Sequence, residues 1–422
     1  MRIVVIGLGY VGLPLAVALA RHFDIWGLDI DTRRIDELRG GHDRTGEVDN
    51  DKLSASSLQL TSDADACPAA DVYIVTVPTP IDGDNNPDLR PVEGATRMIA
   101  KMIAGENRKP VIVYESTVYP GVTEDICGPL LEAQSGLTRG EDFFLGYSPE
   151  RINPGDREHT VDRITKVIAG ENAEITERLA DIYGRVTSGG VYRAASIKAA
   201  EAAKVIENTQ RDINIAFMNE LARIFDRMDL SIWDVLDAAG TKWNFLPFQP
   251  GLVGGHCIGV DPFYLSHRAQ QLGYDPKLIL AGRTMNDSMA HWIADRIDSG
   301  IRRKHARILF LGVTFKENVP DLRNSKAADL ARNLAAHGHE VVIHDPLADP
   351  QEAENELGVG IFSELPQGPF DCVVGAVPHE AFAPVNPAAL GALLTPGGLV
   401  ADIKRMWHAD EVTDRDLRYW TL

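Results

Sequence analysis

The segment GLVGGHCIGVDP, residues 251–262, places Cys257 in a glycine-rich stretch of a chain that has four cysteines. A free cysteine usually packs as a small hydrophobe, whereas a reactive thiol needs an open approach and a lowered pKa, which is about 8.5 when unperturbed. The flanking glycines remove bulk around the sulfur, and Asp261 follows four residues later. Cys257 is therefore either a small buried hydrophobe or a nucleophile that a substrate carbon approaches, and the glycines favour the second interpretation. The neighbouring His256 is a base or a solvent-facing residue, and its position favours neither role.

Three further polar residues have side chains that would act with such a thiol. Lys204 and Asn208, in KVIEN, are one helical turn apart, and an ammonium there would lower the thiol pKa and stabilise an oxyanion. Glu150 follows a predicted strand in YSPE and would serve as a general base toward water. Each residue is otherwise a solvated charge or a helix cap, so the residue types alone leave both interpretations open.

Two loops carry residues suited to ligands at the carboxyl ends of strands. Thr117, in YESTVYPG, closes a predicted strand at the end where doubly wound sheets bind ligands. Lys316 and Arg323 fall in GVTFKENVPDLRNS, between a predicted strand and a predicted helix. Two cations at that place in an acidic chain predict a phosphate contact. The alternatives are a turn hydroxyl for Thr117 and a capped helix start with flanking charges for the two cations.

The composition limits the function classes. The chain has 422 residues, enough for two or three domains, with 61 acidic and 42 basic residues and a net charge of −19. This balance argues against nonspecific nucleic-acid binding and against anionic membrane surfaces. The cysteines are too widely spaced for a disulfide framework or a zinc site, so no metal and a cytoplasmic location are expected. The N-terminus shows no signal-peptide pattern, and LPLAVALA is far shorter than a membrane span.

The N-terminal motif GLGYVG follows a β-branched apolar strand and opens a helix. Gly7 permits a tight turn, Gly9 lets backbone N–H groups approach a pyrophosphate, and Gly12 allows the helix to pack closely on the strand. Asp29 ends the next predicted strand, where a carboxylate accepts ribose hydroxyls and repels a 2′-phosphate. This context predicts NAD rather than NADP, although two arginines follow a few residues later.

Strands alternate with helices at both ends of the chain, which predicts an α/β fold with two doubly wound parallel sheets. The second such region starts at Arg307, and Asp345 ends a strand there as Asp29 does in the first. Residues 196–240 contain glycine only at their end and no proline, which predicts one long helix or a packed pair. The predicted domains are a Rossmann-like NAD-binding domain (1–196), a central helical domain (197–300) and a second Rossmann-like domain (301–422).

Seven motifs, in order, resemble those of the UDP-glucose and GDP-mannose dehydrogenase family, the nucleotide-sugar 6-dehydrogenases. They are GLGYVGLP, VPTP, YESTVYPG, SPER, EAAKVIEN, GGHCIGVDP and GVTFKENVPDLRNS, and they cover essentially the whole chain. SPERINPGD and TKWNFLPFQPGLVGGHCIGVDP are most similar to the branch that oxidises UDP-N-acetylhexosamines. The chain departs from the UDP-glucose branch at Pro154 and at Gly259-Val260. Thr241 stands where that branch places an arginine that reaches across from the partner subunit, and the adjacent Lys242 is a candidate to substitute for it.

The resemblance implies NAD-dependent four-electron oxidation of the C6 hydroxymethyl of UDP-GlcNAc or UDP-GalNAc to a uronic acid, through a thiohemiacetal and a thioester. It also implies that the C-terminal domain binds the UDP part of the substrate, that the central domain builds a homodimer or a dimer-based homo-oligomer, and that the product supplies surface polysaccharide synthesis. UDP-glucose and then GDP-mannose are the alternative substrates. The interpretations from other classes are a single-step dehydrogenase, which releases one NADH per substrate, and a noncatalytic NAD- or nucleotide-sensing module.

The resemblance further assigns a role to each matching position. The catalytic set contains Cys257 as nucleophile, Lys204 and Asn208 at the oxyanions, Glu150 as base, and Thr117 and Asp261, which hold a proton-relay water together with Lys204. The positions implied in NAD binding are Gly7, Gly9, Tyr10, Val11, Gly12, Asp29, Arg34, Thr79, Thr117 and Arg323. The positions implied in substrate binding are Glu150, Arg151, Lys204, Asn208, Lys242, Phe248, Gly251, Gly254, Phe315 and Lys316.

Overall fold

The computed structural model describes residues 1–151, 160–255 and 257–422. Pro154 and His256, both noted in the sequence, therefore lie outside the described residues. The chain divides into two compact units. The first contains residues 1–207 and 263–275, and the second contains residues 208–262 and 276–422.

The first unit is built on a sheet that has eight strands within the described residues. The strands are β1 Arg2–Ile6, β2 Asp24–Leu28, β3 Gln59–Thr61, β4 Val72–Val75, β5 Val111–Tyr114, β6 Phe144–Tyr147, β7 Lys166–Gly170 and β8 Val191–Arg193. Their order is β3-β2-β1-β4-β5-β6-β7-β8, and the chain changes direction across the sheet between β1 and β4. Ligands of doubly wound sheets bind at the carboxyl end of such a switch point.

Helices flank this sheet in the alternation that the sequence predicts. They are α1 Gly12–Leu19, α2 Thr32–Arg39, α3 Asn50–Ser54, α4 Arg90–Ile103, α5 Gly128–Ser135 and α6 Ala173–Gly184, with a short 3₁₀ helix at Ala64–Ala66 and a π-helical turn at Val122–Cys127. The apolar runs of the strands supply the core. Ile3 and Val5 of β1, for example, are fully buried and pack with Leu13 and Leu19 of α1. Burial on both faces explains why these strands read as continuous β-branched runs.

Three helices follow, α7 Ile197–Asp226, α8 Ile232–Ala239 and α9 Asp261–Gln271. The question of one long helix or a pair is thereby answered: α7 is a single helix of 30 residues, and α8 is a separate short one. The break between them contains Asp229, with a left-handed φ of +56°, and Ser231, whose hydroxyl caps α8 by accepting the N–H of Asp234. The apolar periodicity of the sequence continues across this break. The cap at Ser231 nevertheless starts a new helix there, so the backbone changes direction.

The second unit contains a smaller sheet, which has six strands in the described part of the chain. Its elements are α10 Lys277–Gly300, β9 Arg307–Leu311, α11 Lys326–Ala336, β10 Glu340–His344, α12 Pro350–Leu357, β11 Ile361–Phe362, β12 Phe370–Gly375, a 3₁₀ helix Glu380–Phe382, α13 Pro387–Leu393, β13 Leu394–Asp402, α14 Ala409–Thr413 and β14 Arg418–Thr421. The strand order is β11-β10-β9-β12-β13-β14. Ile293 and Ile297 of α10 share one buried cluster with Ile308 and Phe310 of β9, so α10 covers one face of this sheet.

The two predicted doubly wound sheets and the predicted long helix are confirmed. The sheets are parallel as predicted, apart from one pair of strands, β6 and β7, which runs antiparallel. The short strands β3, β8, β11 and β14 were not predicted. Within the described residues, no helix is both long enough and apolar enough to cross a membrane.

Candidate active site

The turn between β1 and α1 is so closely packed that two of its glycines have no room for a side chain. Gly7 has a left-handed backbone with φ +92°, and a Cβ added at Gly12 would lie 1.8 Å from the carbonyl oxygen of Gly7. A Cβ added at Gly9, in contrast, would meet no described atom within 4 Å. The turn therefore has an open face at Gly9, next to the first N–H groups of α1, where a pyrophosphate fits. Tyr10 and Val11 are half-buried in the same turn.

Asp29 follows β2 and is half-buried beside the glycine turn. Its carboxylate accepts the N–H of Leu8 at 2.7 Å and that of Asp31 at 2.9 Å. A carboxylate offers about four lone-pair positions, so further positions remain for the hydroxyls of a ribose. The open face at Gly9 and the position of Asp29 fit a dinucleotide such as NAD.

Arg34, which the resemblance implies in NAD binding, is only 5% exposed. Its guanidinium donates to the carbonyl oxygen of Leu8 at 2.9 Å and to Asp43 at 2.7 Å. These bonds attach α2 to the glycine turn. In the described structure, Arg34 thus supports the backbone that would receive the cofactor.

Thr79 and Thr117 lie in the loops that follow two neighbouring parallel strands, β4 and β5. Ser116 joins these loops, because its hydroxyl donates to the carbonyl oxygen of Val77 at 2.6 Å. Both threonines are half-buried. They lie at the carboxyl edge of the sheet, which is also the edge of the glycine turn, as expected for parallel strands.

Lys204 lies in the part of α7 that belongs to the first unit and is 7% exposed. No hydrogen bond or ion pair of its ammonium is found among the described residues. A buried ammonium is costly unless an acceptor or an opposite charge balances it, so Lys204 suits an anionic oxygen. One turn earlier, Glu201 accepts the N–H groups of Gly121 at 2.6 Å and Thr123 at 2.9 Å, and burial raises the pKa of Glu201 to about 7. These bonds fix α7 to the loop that follows Thr117.

Glu150 follows β6 and is 6% exposed, which excludes the alternative of a solvated surface charge. Its Oε2 lies 3.8 Å from Nζ of Lys166, and its Oε1 accepts the N–H of Arg151 at 2.6 Å. The Arg151 side chain itself forms an ion pair with Glu207 at 2.7 Å. The proposed base is therefore a buried carboxylate held beside a cation.

In the second unit, Cys257, Asp261 and Asn208 form one cluster. The carbonyl oxygen of Cys257 accepts the N–H of Asp261 at 2.8 Å, which places Asp261 at the first position of α9. The Asp261 carboxylate accepts Nδ2 of Asn208 at 2.6 Å. Asp261 is 2% exposed and Asn208 is 9% exposed, whereas Cys257 is half-buried. The structure thus brings together three of the six predicted catalytic residues through direct hydrogen bonds.

The other three cysteines differ from Cys257 in surroundings. Cys127 and Cys372 are buried, and burial raises the pKa of both thiols, that of Cys127 to about 12. Burial also raises the pKa of Cys67 to about 11. Because the thiolate is the nucleophilic form, none of these three suits covalent chemistry near neutral pH.

The two glycines before Cys257 are required for a different reason from the one that the sequence suggested. A Cβ added at Gly254 would lie 2.4 Å from the carbonyl oxygen of Asn324, and one at Gly255 would lie 2.7 Å from the Phe315 ring. Asn324 also donates from Nδ2 to the carbonyl oxygen of Gly255 at 3.0 Å. The interpretation that these two glycines clear space for a sugar is therefore corrected. They let the Cys257 segment pack directly against the loop that follows β9.

Gly251 is held on both sides by polar groups. Asn219 of α7 donates to its carbonyl oxygen at 3.0 Å and accepts its N–H at 2.8 Å. A Cβ added at Gly251 would lie 2.5 Å from Nζ of Lys404, and burial lowers the pKa of that lysine. The remaining predicted contacts of this segment, Lys242 and Phe248, are exposed and half-buried, respectively.

The loop after β9 contains Phe315, Lys316 and Arg323. Phe315 and Lys316 are half-buried. Arg323 forms a two-pronged ion pair with Asp321, with Nη2–Oδ2 at 2.5 Å and Nε–Oδ1 at 3.0 Å. Its charge is thus already balanced within the loop.

Sequence reasoning missed several residues that the structure adds to these clusters. Lys404 lies two residues after the end of β13, and a cation at the carboxyl end of a predicted buried strand is a signal that would have identified it. Asn324 had no such signal, because its role depends on backbone packing. Lys166 and Glu115, which pair in the interior of the first unit, looked like ordinary charges in sequence.

Comparison with known proteins places the whole chain in one family. Residues 1–187, 198–288 and 309–409 match the NAD-binding, central and UDP-binding domains of the UDP-glucose/GDP-mannose dehydrogenase family. The chain is 49% identical to protein CapL of Staphylococcus aureus, over 100% of this chain and 99% of that protein. It is 48% identical to the UDP-N-acetyl-D-glucosamine 6-dehydrogenase of Pseudomonas aeruginosa, over 97% of this chain and 98% of that protein.

The fold comparison agrees. The solved structure of a UDP-D-ManNAc dehydrogenase from Pyrococcus horikoshii is 28% identical and covers 99% of both chains, with a TM-score of 0.87. The matched NAD-binding domain contains the open glycine turn and Asp29, so NAD is the cofactor. On these matches, the chain belongs to the UDP-glucose/GDP-mannose dehydrogenase family.

Proposed function

We propose that the protein oxidises the C6 hydroxymethyl of a UDP-N-acetylhexosamine to a carboxylate, with two NAD consumed per sugar. Similarity to a UDP-N-acetyl-D-glucosamine 6-dehydrogenase over nearly the whole chain supports the substrate class. The match of residues 309–409 to the UDP-binding domain supports the nucleotide. The product would be a precursor for surface polysaccharide.

The observation that carries the chemistry is the cluster of Cys257, Asp261 and Asn208. The Cys257 thiol is half-buried and lies in the turn before α9. Asp261, the first residue of α9, has a buried carboxylate that accepts a hydrogen bond from the Asn208 side-chain amide at 2.6 Å. A second oxidation of the same carbon requires that the aldehyde be held after the first one. A thiol that captures the aldehyde meets this requirement, because the adduct is covalent until hydrolysis.

NAD, when bound, would supply the hydride acceptor for C6 in each of the two oxidations. Its pyrophosphate would lie at Gly9, and its ribose would bond Asp29. Lys204, Asp261 and Thr117 hold the water that receives the hydroxyl proton. Lys204 suits this position because its buried ammonium stabilises the developing alkoxide.

The Cys257 thiolate then adds to the aldehyde carbon and forms a thiohemiacetal, whose oxyanion Lys204 and Asn208 stabilise. The second hydride loss converts the thiohemiacetal into a thioester. Glu150 takes a proton from water, the resulting hydroxide attacks the thioester carbonyl, and the C–S bond breaks with return of the thiolate. Two hydrides leave the sugar in all, so the carbon passes from alcohol to acid.

We include a homodimer and a cytoplasmic location in the proposal. Phe217, Ile224 and Met228 of the α7 region are exposed, and contiguous exposed apolar side chains mark interaction surfaces. A reducing compartment keeps Cys257 as a free thiol. Sedimentation of the wild type and of a Phe217→Glu variant tests the dimer, because a charge in that surface would shift the population to monomer.

The yield of NADH per sugar tests the function. We expect two NADH per UDP-N-acetylhexosamine and much slower turnover of UDP-glucose under matched conditions. UDP-GlcNAc and UDP-GalNAc assayed side by side identify the preferred C4 epimer. One NADH per sugar would support a single-step dehydrogenase, faster oxidation of UDP-glucose would support the alternative substrate, and binding without oxidation would support the sensing module.

The Cys257→Ser variant tests covalent capture, and Cys67→Ser, which changes a cysteine outside the cluster, is its matched control. We expect Cys257→Ser to lose turnover to the uronic acid and Cys67→Ser to retain it. Full formation of the uronic acid by Cys257→Ser would contradict covalent capture.

A further inference from the structure

The first unit contains an ion pair in its interior that the proposed mechanism does not use. Lys166 of β7 and Glu115, which follows β5, have no exposed side-chain surface, and Nζ lies 2.7 Å from Oε2 of Glu115. The hydroxyl of Tyr183 in α6 donates to the other oxygen of the same carboxylate. The Lys166 ammonium also lies over the Tyr183 ring, 5.1 Å from its centroid.

A second carboxylate faces the same ammonium. Oε2 of Glu150 lies 3.8 Å from Nζ of Lys166, and only 8% of the Glu150 side chain is exposed. Burial would lower the pKa of Lys166, but the attraction of Glu115 and Glu150 raises it, so Lys166 remains an ammonium. Two carboxylates thus share one cation, and the cluster carries one net negative charge when all three groups are ionised.

A buried pair of this kind is weak evidence for stability, because desolvation of both ions offsets their attraction. Its position suggests a different use. Glu115 lies next to Ser116 and Thr117 in the strand-end loop, Lys166 starts β7, and Glu150 lies three residues after the end of β6. The pair therefore connects the predicted base, which follows β6, to β5 and β7, the two strands on either side of β6 in the sheet.

We propose that the buried Lys166–Glu115 pair is the positioning element of Glu150, which it holds in place while leaving it able to accept a proton. The proposal rests on the proposed function, in which Glu150 activates the water that hydrolyses the thioester. Lys166 and Glu115 are positioning residues, since they act through Glu150.

The Lys166 ammonium lies at unequal distances from the two carboxylates, which explains how Glu150 can be held in place and still accept a proton. The ammonium is closer to Glu115, at 2.7 Å, than to Glu150, at 3.8 Å, so most of its charge is already balanced. The more distant Glu150 is attracted enough to fix its orientation, while Glu115 makes the closer contact with the ammonium. The other groups that face this cluster are Tyr183, a proton donor to Glu115, and the N–H of Arg151, which donates to Glu150.

The two halves of the pair can be removed separately, and the expected effects have opposite signs. Glu115→Gln leaves Lys166 to Glu150 alone, which favours the ionised base, so the acid limb of the kcat against pH profile moves to lower pH by about one unit. Lys166→Met leaves two buried carboxylates without a cation, so the same limb moves to higher pH by about one unit and kcat falls about tenfold near neutral pH.

Two control variants are compared with these, one that retains the charge of Lys166 and one in an exposed ion pair elsewhere in the first unit. Lys166→Arg retains the charge, and we expect it to keep the wild-type position of the acid limb. Glu177→Gln makes the same chemical change as Glu115→Gln in the exposed pair with Arg193 and should leave the profile unchanged. KM for the UDP-sugar should change little in all variants, because neither side chain of the pair has exposed surface.

A substrate-free measurement separates this proposal from the function on which it rests. The carboxylate band of Glu150, identified by infrared difference between the wild type and Glu150→Gln, is titrated in each variant. We expect the same opposite shifts there, even if no UDP-sugar tested is oxidised. Circular dichroism confirms folding, and if Lys166→Met does not fold, Glu115→Gln and Lys166→Arg decide the result.

Acid limbs and infrared titrations that coincide with the wild type in Glu115→Gln would overturn the proposal. So would shifts of the same sign in Glu115→Gln and Lys166→Met, since a purely structural role predicts no sign difference. A change of KM without a shift of the acid limb would assign the pair to substrate binding and would also overturn it.

Discussion

The two α/β halves place an aspartate at the same point of the fold and use it differently. Asp29 follows β2 in the first unit, and Asp345 follows β10 in the second. Asp29 is half-buried and accepts two backbone N–H groups. Asp345 is fully buried and accepts four, from Val313, Thr314, Leu347 and Ala348.

A histidine completes the enclosure of Asp345. The N–H of Asn318 donates to Nδ1 of His379, which assigns the ring proton to Nε2, and Nε2 lies 3.1 Å from Oδ2 of Asp345. Burial alone would raise the pKa of Asp345. The bonds from His379 and the backbone hold it below its usual value of 3.8 instead. With so many donors on the carboxylate, none of its oxygens is left for a ribose.

The glycine turns differ in the same way. Gly7 and Gly312 both have left-handed backbones, with φ +92° and +85°, and both N–H groups bond to the end of the adjacent strand. The first turn continues with Gly9 and Gly12, whereas the second continues with the bulky sequence VTFKE. The first half therefore retains an opening for a pyrophosphate. The second has kept the turn and replaced the opening by a loop with Lys316 and Arg323.

The comparison teaches that a shared fold position does not fix a function. The exposure and donor count around the strand-end aspartate separate the cofactor half from the half that matches the UDP-binding domain.

The largest effect is expected for Asp345→Ala. It removes the acceptor of four N–H groups and of His379 in a site without exposed surface, so the free energy of unfolding should fall by about 3–5 kcal/mol. Urea denaturation at pH 7, followed by fluorescence, measures the change. A loss below about 1 kcal/mol, the size typical of an exposed residue, would show that the enclosure is not structural.

The pH dependence of Asp345→Asn sharpens the same point. Because the folded pKa of Asp345 is depressed, its stabilisation is present above the unfolded pKa of 3.8 and is lost as pH falls through the lower folded value. The stability difference between the wild type and Asp345→Asn should therefore shrink below pH 3.8. A difference that stays constant between pH 7 and pH 3 would exclude a carboxylate role.

We expect Asp29→Ala to lower the free energy of unfolding less than Asp345→Ala does, and to weaken NAD binding more. Loss of a charge-assisted bond to a ribose hydroxyl weakens NAD binding by about 1.5–3 kcal/mol, or roughly tenfold to a hundredfold. Calorimetric titration with NAD measures this. Unchanged NAD affinity in Asp29→Ala, or an equal loss in Asp345→Asn that is still folded, would remove the distinction between the halves.

Lys316→Ala should have the smallest effect, and only on the sugar nucleotide. Loss of one phosphate contact would raise KM for the UDP-sugar about tenfold and leave NAD affinity unchanged. Lys52→Ala, which removes an exposed lysine of the first unit that pairs with Asp49, is the control and should change neither. A loss of NAD affinity in Lys316→Ala would place the cofactor contact in the wrong half.

The fold was largely readable because long buried strands and amphipathic helices give strong periodic signals. Four edge or short strands were missed, since segments such as Gln59–Thr61 and Val191–Arg193 carry few apolar residues and depend on a neighbour for their pairing. The antiparallel contact of β6 with β7 was also missed, because strand direction depends on the route of the connecting chain.

The candidate site was readable where chemistry and spacing coincide. Cys257 and Asp261 are close in sequence, and Asn208 came from its motif. The Lys166–Glu115 pair was not readable, because 51 residues separate two charges that are ordinary in sequence and unusual only when buried. For Gly254, the sequence identified the residue but not its role, because only the structure shows that it packs against the backbone of Asn324.

The proposed mechanism requires that Cys257 carry the sugar carbon between its two oxidations. Its most direct test is the mass of the Cys257-containing peptide of the Glu150→Gln variant, quenched after mixing with NAD and the UDP-sugar that gives the most NADH. Slow hydrolysis should leave a uronyl thioester on Cys257, absent when Cys257 is replaced by serine. An unmodified Cys257 in a variant that still releases the uronic acid at the wild-type rate would contradict the account.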